Sequence, residues 1–286
     1  MTSNLFRLGL IVTYRCNAEC RHCFFESSPK REETIPLELG IKAIDEAVKL
    51  GAEWISLTGG EPFLEPVLVS AFIKHASESG LKTEIVSNGY WATSVQEANR
   101  ILEPLKDMGF DALNLSIDDF HQEYIPITSV KNAYWAAHGL GIKLIIMTTT
   151  TMNNKITTET IPELFGDEKI QVLGDKRIHD PHALLITTPI TPVGRGIDLA
   201  EHDYTLFSEV KCREVLRDIG LGPDGSVYPC CGPLASKIIL GNINEKPLKT
   251  ILEEAEQNPF YASIREGTPV LGAFTSKCHA CLSLRE

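Results

Sequence analysis

Cys16, Cys20 and Cys23 lie in Tyr14-Arg15-Cys16-Asn17-Ala18-Glu19-Cys20-Arg21-His22-Cys23, directly after the apolar run Leu8 to Val12. A CxxxCxxC triplet at the end of a strand-like run constrains the fold strongly, because the strand must deliver a loop in which three sulfurs converge. Three thiolates can hold three irons of a [4Fe-4S] cube and leave the fourth iron open for a ligand. The same residues admit a zinc knuckle with His22 as fourth ligand, or a cube completed by a distant residue.

Three further segments follow successive apolar runs in order. Thr58-Gly59-Gly60-Glu61-Pro62 ends the run Trp54 to Leu57, Ser87-Asn88-Gly89 ends the next, and Ser116-Ile117-Asp118 ends the fourth. Singly each reads as a turn, with Gly and Asn supplying positive φ. Together they mark four strand ends that share one rim. Strand-like runs near Phe6 to Thr13, Trp54 to Thr58, Thr83 to Ser87, Ala112 to Asp118, Lys143 to Thr149 and Ala183 to Thr188 alternate with helix-length segments, which predicts a parallel sheet with helical crossovers. In the first helix Leu37, Ile41, Ile44 and Val48 recur at helical steps, with Thr34 as its expected cap, Pro36 in its first turn and Gly51 past its end. Lys42, Asp45, Glu46 and Lys49 should then face water.

The four motifs resemble those of radical S-adenosylmethionine (SAM) enzymes. The resemblance implies an α/β fold, a partial (β/α)6 barrel with its chemistry at the C-terminal strand ends. It implies that Gly59, Gly60 and Glu61 hold the SAM amino group, that Ser87, Ser116 and Asp118 are further SAM-contacting positions, and that Cys16, Cys20 and Cys23 ligate the catalytic cluster. Pro192-Val193-Gly194-Arg195-Gly196 resembles the PxGR segment that closes such barrels, so Arg195 is a candidate for SAM or substrate contact; a turn with a solvated arginine is the alternative.

Five cysteines remain: Cys212, Cys230, Cys231, Cys278 and Cys281. Gly222 to Cys230 reads as a hairpin around Pro223-Asp224-Gly225, and Cys278-His279-Ala280-Cys281 is a close chelating pair. Cys212, Cys230, Cys278 and Cys281 resemble the ligands of the auxiliary-cluster domain called twitch, which implies a second [4Fe-4S] cube; the longer SPASM domain is expected to need more cysteines. A zinc ribbon has the same ligand arithmetic. The expected division is residues 1–196 for the barrel and 197–286 for a small twitch-like domain.

The formal charge of -11 argues against a phosphate-backbone partner, since nucleic-acid binders carry a basic excess. The sequence holds no secretory signal or membrane-length apolar stretch, so a cytoplasmic protein with reduced thiols is expected, with no membrane partner.

Cys231 directly follows Cys230, and neighbours in an extended segment point opposite ways, so both should not bind one cube. A small buried hydrophobe is one reading of it. The other comes from a closer resemblance. Arg15 to Pro29, Ser87-Asn88-Gly89-Tyr90-Trp91, Tyr228 to Pro233 and Cys278 to Leu284 look like the radical SAM peptide epimerases that put D-residues into epipeptides. That resemblance implies a ribosomally made precursor peptide as substrate, an electron donor such as flavodoxin or ferredoxin, and Cys231 as the hydrogen donor that returns hydrogen to a Cα stripped from its other face. Alternatives are a radical SAM dehydrogenase or cross-linking maturase, or a non-enzymatic iron-sulfur carrier or sensor. With the first strand almost at Met1, peptide recognition is expected to use the barrel, the cluster domain or another protein. Asp119, Phe120, His121, Gln122 and Tyr124 at the fourth strand's mouth, and Thr148 to Thr151 at the fifth's, are further candidates. His22 stands where many members have an aromatic ring for adenine.

Overall fold

The computed structural model describes residues 5–173, 182–199 and 203–285. Strand and helix alternate through the first part: β1 (Arg7–Thr13), α1 (Leu37–Lys49), β2 (Trp54–Gly59), α2 (Pro66–Glu78), β3 (Lys82–Ser87), α3 (Val95–Asp107), β4 (Ala112–Ser116), α4 (Ile127–Gly139), β5 (Lys143–Thr150), α5 (Thr160–Phe165), β6 (Gln171–Val172) and β7 (Ala183–Pro189). The second part comprises β8 (Thr205–Val210), β9 (Asp218–Leu221), β10 (Ser226–Tyr228), β11 (Gly241–Asn242), α6 (Leu248–Glu256), α7 (Pro259–Glu266), β12 (Thr268–Phe274) and α8 (Lys277–Ser283). All six expected parallel strands are present, as β1 to β5 and β7; the two-residue β6 is added at the sheet's edge.

Period-two alternation places these strands. Leu8, Leu10 and Val12 of β1 are buried in the main core with Ile55, Leu57, Ile85, Leu113 and Leu115. Burying each such side chain contributes about 1.5–3 kcal/mol. The opposite face carries a polar patch across β1, β3 and β4, with Ile145, Met147 and Ile186 on the same face at β5 and β7. Arg7 Nη1 meets Glu84 Oε2 at 3.2 Å, and Asn114 Nδ2 donates to Glu84 Oε1 at 3.0 Å.

The sheet continues past the sequence-based boundary at residue 196. β9 pairs in parallel with β1, Arg7 beside Asp218 and Gly9 beside Gly220, and β10 and β11 extend that edge to give ten strands in the order β11-β10-β9-β1-β2-β3-β4-β5-β7-β6. β8 and β12 form a separate antiparallel pair; Val210 joins a second core with Tyr261, Ile264, Ala280 and Leu282.

The first helix differs from its expected faces. Leu39, Ala43, Ile44 and Ala47 are buried, whereas Leu37 is exposed; Pro36 stands at the cap position, and Thr34 instead bonds Thr13 across the loop at 2.9 Å. Lys42 and Glu46, expected in water, reach the second part of the chain: Lys42 Nζ donates to the Ile243 carbonyl at 2.6 Å, and Glu46 Oε2 accepts from the Leu248 amide. Periodicity could not show this, because the partners lie some 200 residues away.

Candidate active site

The loop after β1 is pinned at both ends. Tyr14 N donates to the Glu33 carbonyl at 2.9 Å, and Cys16 N to the Ser28 carbonyl at 3.1 Å. Cys16 and Cys20 are buried and Cys23 half-buried. Burial, with Glu61 and the Cys23 thiol, pushes the Cys16 thiol up to about 12, and burial with Asp118 raises Cys20. A metal takes cysteine as thiolate, and a three-cysteine donor set fits a thiolate-ligated group. Four sulfurs on one zinc ion sit about 3.8 Å apart. Among the described residues neither cysteine set closes within 4.8 Å as a single-ion site, while two His/Asp groups do.

Arg195 clamps this loop from the far end of β7. Its Nε donates to the Cys20 carbonyl at 3.0 Å, its Nη2 to the Ser27 carbonyl at 2.8 Å, and its backbone amide to the Cys23 carbonyl at 3.1 Å. It is therefore not a solvated turn arginine.

The glycines at the end of β2 are required by the protein's own backbone. Gly59 has φ +125°, and a Cβ there would lie 2.4 Å from the Thr13 carbonyl oxygen; at Gly60 it would lie 2.1 Å from that of Arg15. Glu61 is fully buried. Its Oε1 accepts from Phe63 N at 3.1 Å and Ser87 Oγ at 3.0 Å, and its Oε2 from Asn88 N at 2.9 Å. Burial still lifts its carboxyl to about 7. Ser87 is buried too and also accepts from Trp91 Nε1 at 2.9 Å. Asn88 Nδ2 lies 3.9 Å from Cys16 Sγ and donates to Asn17 at 2.9 Å, which ties the β3 end to the cysteine loop.

Asp118 is buried at the end of β4, where Oδ1 accepts from the Phe120 and His121 amides and Oδ2 lies 2.8 Å from His121 Nδ1. Burial opposes its ionisation, but the His121 charge and these hydrogen bonds prevail and hold it below the carboxylate range. The His22 ring packs tilted against Phe120, with centroids 4.8 Å apart. Burial lowers His22 to about 4, so its ring is neutral. Ser116 is half-buried at the same rim. Of the other mouth residues, Asp119 accepts from the Lys155 and Ile156 amides, Tyr124 is exposed, and Thr148 and Thr149 are buried.

Cys212 precedes β9, Cys230 follows β10, and Cys278 and Cys281 lie on α8. Cys281 lies in the second core, Cys212 and Cys230 pack against that core, and Cys278 precedes Cys281 by three residues on the same helix. Burial pushes Cys212 up to about 11 and Cys281 to about 12, again thiols that yield their protons to metal.

Cys231 turns the other way. Its amide donates to the Asp218 carbonyl at 2.9 Å, and its Cβ would lie 3.2 Å from a Cβ built on Gly9 of β1. The side chain is exposed, yet the protein atoms around it push the thiol up to about 11, helped by Asp218 and Glu84 and opposed by Arg7. These contacts place Cys231 beside β1 and β9, next to the polar patch of Arg7, Glu84 and Asp218.

The model of the Radical SAM superfamily matches residues 10–167, more than half of the chain. This protein belongs to the radical SAM superfamily. The SPASM iron-sulfur cluster-binding domain matches residues 212–282 of this radical SAM chain. The two domains imply SAM and [4Fe-4S] clusters as cofactors, in agreement with the donor sets above. The chain is 25% identical over 252 residues to the "Putative peptide biosynthesis protein YydG" of Bacillus subtilis (strain 168), a match covering 85% of this chain and 75% of that one. Among solved structures, SuiB of Streptococcus suis bound to the precursor peptide SuiA superposes with TM-score 0.62 at 17% identity, covering 92% of this chain and 67% of that one. The AdoMet-bound anSMEcpe gives 0.60 at 16%, covering 92% and 88%. At these identities the likeness is one of fold. Among the described residues no helix is long and apolar enough to cross a membrane.

Gly9 and the Arg7–Glu84–Asn114 network escaped the sequence reading. The available signal was a charged and an amide residue, Glu84 and Asn114, each directly beside an apolar residue within its strand.

Proposed function

We propose that this radical SAM protein is a peptide epimerase that converts L-residues of a ribosomally made precursor peptide to D-residues. The observation that carries the reading is the placement of Cys231: directly after Cys230, its Cβ packs against Gly9 of β1 and its amide bonds the Asp218 carbonyl of β9. A peptide substrate is supported by the printed name of YydG and by the peptide-bound neighbour SuiB.

In this reading Cys16, Cys20 and Cys23 hold a SAM-binding cluster, and Cys212, Cys230, Cys278 and Cys281 hold one auxiliary cluster. When bound, these groups supply a carbon-centred radical able to take hydrogen from an unactivated C–H bond. The chain's own residues do the rest. Gly59, Gly60 and Ser116 form the SAM-facing rim, while Glu61, Ser87 and Asp118 brace it from behind through their internal hydrogen bonds. Arg195 fixes the loop carrying the first three thiols. Cys231 supplies a hydrogen atom to the face of the Cα opposite the one that lost hydrogen, and its sulfur must regain one electron and one proton before the next cycle. Flavodoxin or ferredoxin is the proposed source of electrons, and the cytoplasm the proposed location.

The test is anaerobic turnover with candidate precursor peptides in deuterated water. The proposal expects one solvent deuterium at a Cα for each residue inverted, with no other mass change. Cys231→Ala should retain SAM cleavage and hydrogen abstraction while losing clean D-product. Normal D-residue formation by that variant removes the donor role, and a loss of two hydrogens from the peptide assigns the enzyme to dehydrogenation or cross-linking instead.

A further inference from the structure

A second group of metal-ligating side chains lies at the end of the sheet opposite the cysteines. His138 is in the last turn of α4, Asp167 in the turn after α5, and His182 directly precedes β7. The His182 carbonyl accepts from Leu144 N of β5 at 3.2 Å, which fixes it at the N-terminal strand ends. One donor atom from each of the three residues lies within 4.8 Å of the other two.

Their arrangement exceeds a simple charge pair. Asp167 is buried, and its Oδ2 lies 2.8 Å from His182 Nε2 and 2.7 Å from the Tyr134 hydroxyl that donates to it. Its Oδ1 accepts from the Lys169 amide at 2.9 Å. A pair needs only these. A third group converges nonetheless: the His138 ring stands edge-on to that of His182 at 4.7 Å, makes ring contacts with Tyr134 and Trp135, and engages no hydrogen bond among the described residues. Two ligands about 2.1 Å from one ion at tetrahedral or octahedral angles lie about 3.0–3.4 Å apart, so the 2.8 Å His182–Asp167 contact need open by only a few tenths of an ångström to admit an ion. His138 is exposed, so its side chain can rotate to complete the triangle. The Tyr134 and Lys169 donors hold the carboxylate as outer partners hold a metal ligand.

We infer that His138, Asp167 and His182 form a mononuclear site for a borderline divalent transition-metal ion, with zinc as its type, separate from the iron-sulfur centres. Two imidazoles and one carboxylate are an N2O set suited to zinc and its neighbours rather than to calcium or magnesium. The ion would clip α4, the turn after α5 and β7 together at the open edge of the sheet, where β6 is only two residues long. Exposure of His138 leaves a further coordination position to water.

The experiment uses anaerobically reconstituted holoenzyme with its cysteines filled by iron. The protein is equilibrated with ZnCl2, passed through a desalting column, and its zinc and iron per chain are measured, with a calorimetric titration for the affinity. One zinc per chain beyond the iron is expected for the wild type. His138→Ala and His182→Ala should each weaken zinc binding by roughly 100-fold, and Tyr134→Phe by about tenfold, with iron unchanged. Zinc should also raise the melting temperature of the wild type but not of His138→Ala, which removes an exposed ligand and leaves the buried Tyr134–Asp167 contact whole. Equal zinc retention by wild type and His138→Ala, as a stray thiol site would give, overturns the inference, and so does a wild type that takes up no zinc.

Discussion

At Cys231 the decisive neighbour is the side chain that Gly9 lacks. A methyl group at position 9 would lie 3.2 Å from the Cys231 Cβ and 3.4 Å from the Ile219 carbonyl, so the strand backbone cannot yield and the thiol must. Gly9→Ala is expected to keep SAM cleavage within about twofold of wild type while D-residue formation falls by at least roughly tenfold, about 1.4 kcal/mol in the barrier. Quantifying 5′-deoxyadenosine and D-residue in one reaction checks this; parallel loss of both would place the defect in folding or SAM binding. Glu61 makes the contrasting case. Its acidity suggested a partner for an ammonium, but the structure directs three donors at its two oxygens. Glu61→Gln sets an amide NH2 against one of those donors, so a buried donor goes unpaired and stability should fall by about 1–3 kcal/mol. Denaturant unfolding of the cluster-free chain measures it, and an unchanged midpoint would show that the braces are dispensable. The sequence revealed which residues are special at this scale, and not what each touches, because the partners of Glu61, Gly60 and Gly9 come from other strands.

Among the elements, the strands were the most legible part, since parallel strands buried at consecutive positions read as apolar runs of strand length, and the spacing between them leaves room only for crossovers. Helix faces were less so. The helical steps of Leu37, Ile41, Ile44 and Val48 selected a stripe displaced from the buried one, because Gly40, Ala43 and Ala47 provide close contact through small side chains rather than large apolar ones. The segment after β7 was ambiguous for a further reason: Arg195 binds carbonyls, which leave no trace in side-chain chemistry. Two charged hydrogen bonds to the Cys20 and Ser27 carbonyls contribute about 1.5–3 kcal/mol each to holding the cysteine loop. Arg195→Ala should therefore lower iron at the first cluster and SAM cleavage with it, while the auxiliary ligands keep theirs; Arg195→Lys, able to reach one carbonyl, should fall between. Iron per chain and the spectra of the reduced clusters separate the two sites, and undiminished loading in the alanine variant would reduce Arg195 to a surface role.

Across the whole molecule, the two functional halves share one sheet. Cysteine arithmetic locates two ligand sets in the chain, but spacing carries no information on how they are joined, and the expected break at residue 196 hid the parallel pairing of β9 with β1. That pairing holds Asp218 and the Cys230–Cys231 turn against Arg7 and Gly9, and α1 secures the same layer through Lys42 and Glu46. If this continuity positions the thiol, the amides of β9 should exchange hydrogen as slowly as those of β1, opening only with global unfolding, whereas α7 and α8 can open separately with the second core. Lys42→Ala combined with Glu46→Ala removes the two links from α1 and should accelerate exchange in 241–256 while leaving β1 and β9 slow. D-residue formation should then decline less than in Gly9→Ala, because the thiol is held by the strand pair rather than by the helix. Exchange of β9 in step with α8 instead of β1 would mean that the C-terminal layer moves as its own body, and the position of Cys231 would then depend on docking rather than on the sheet.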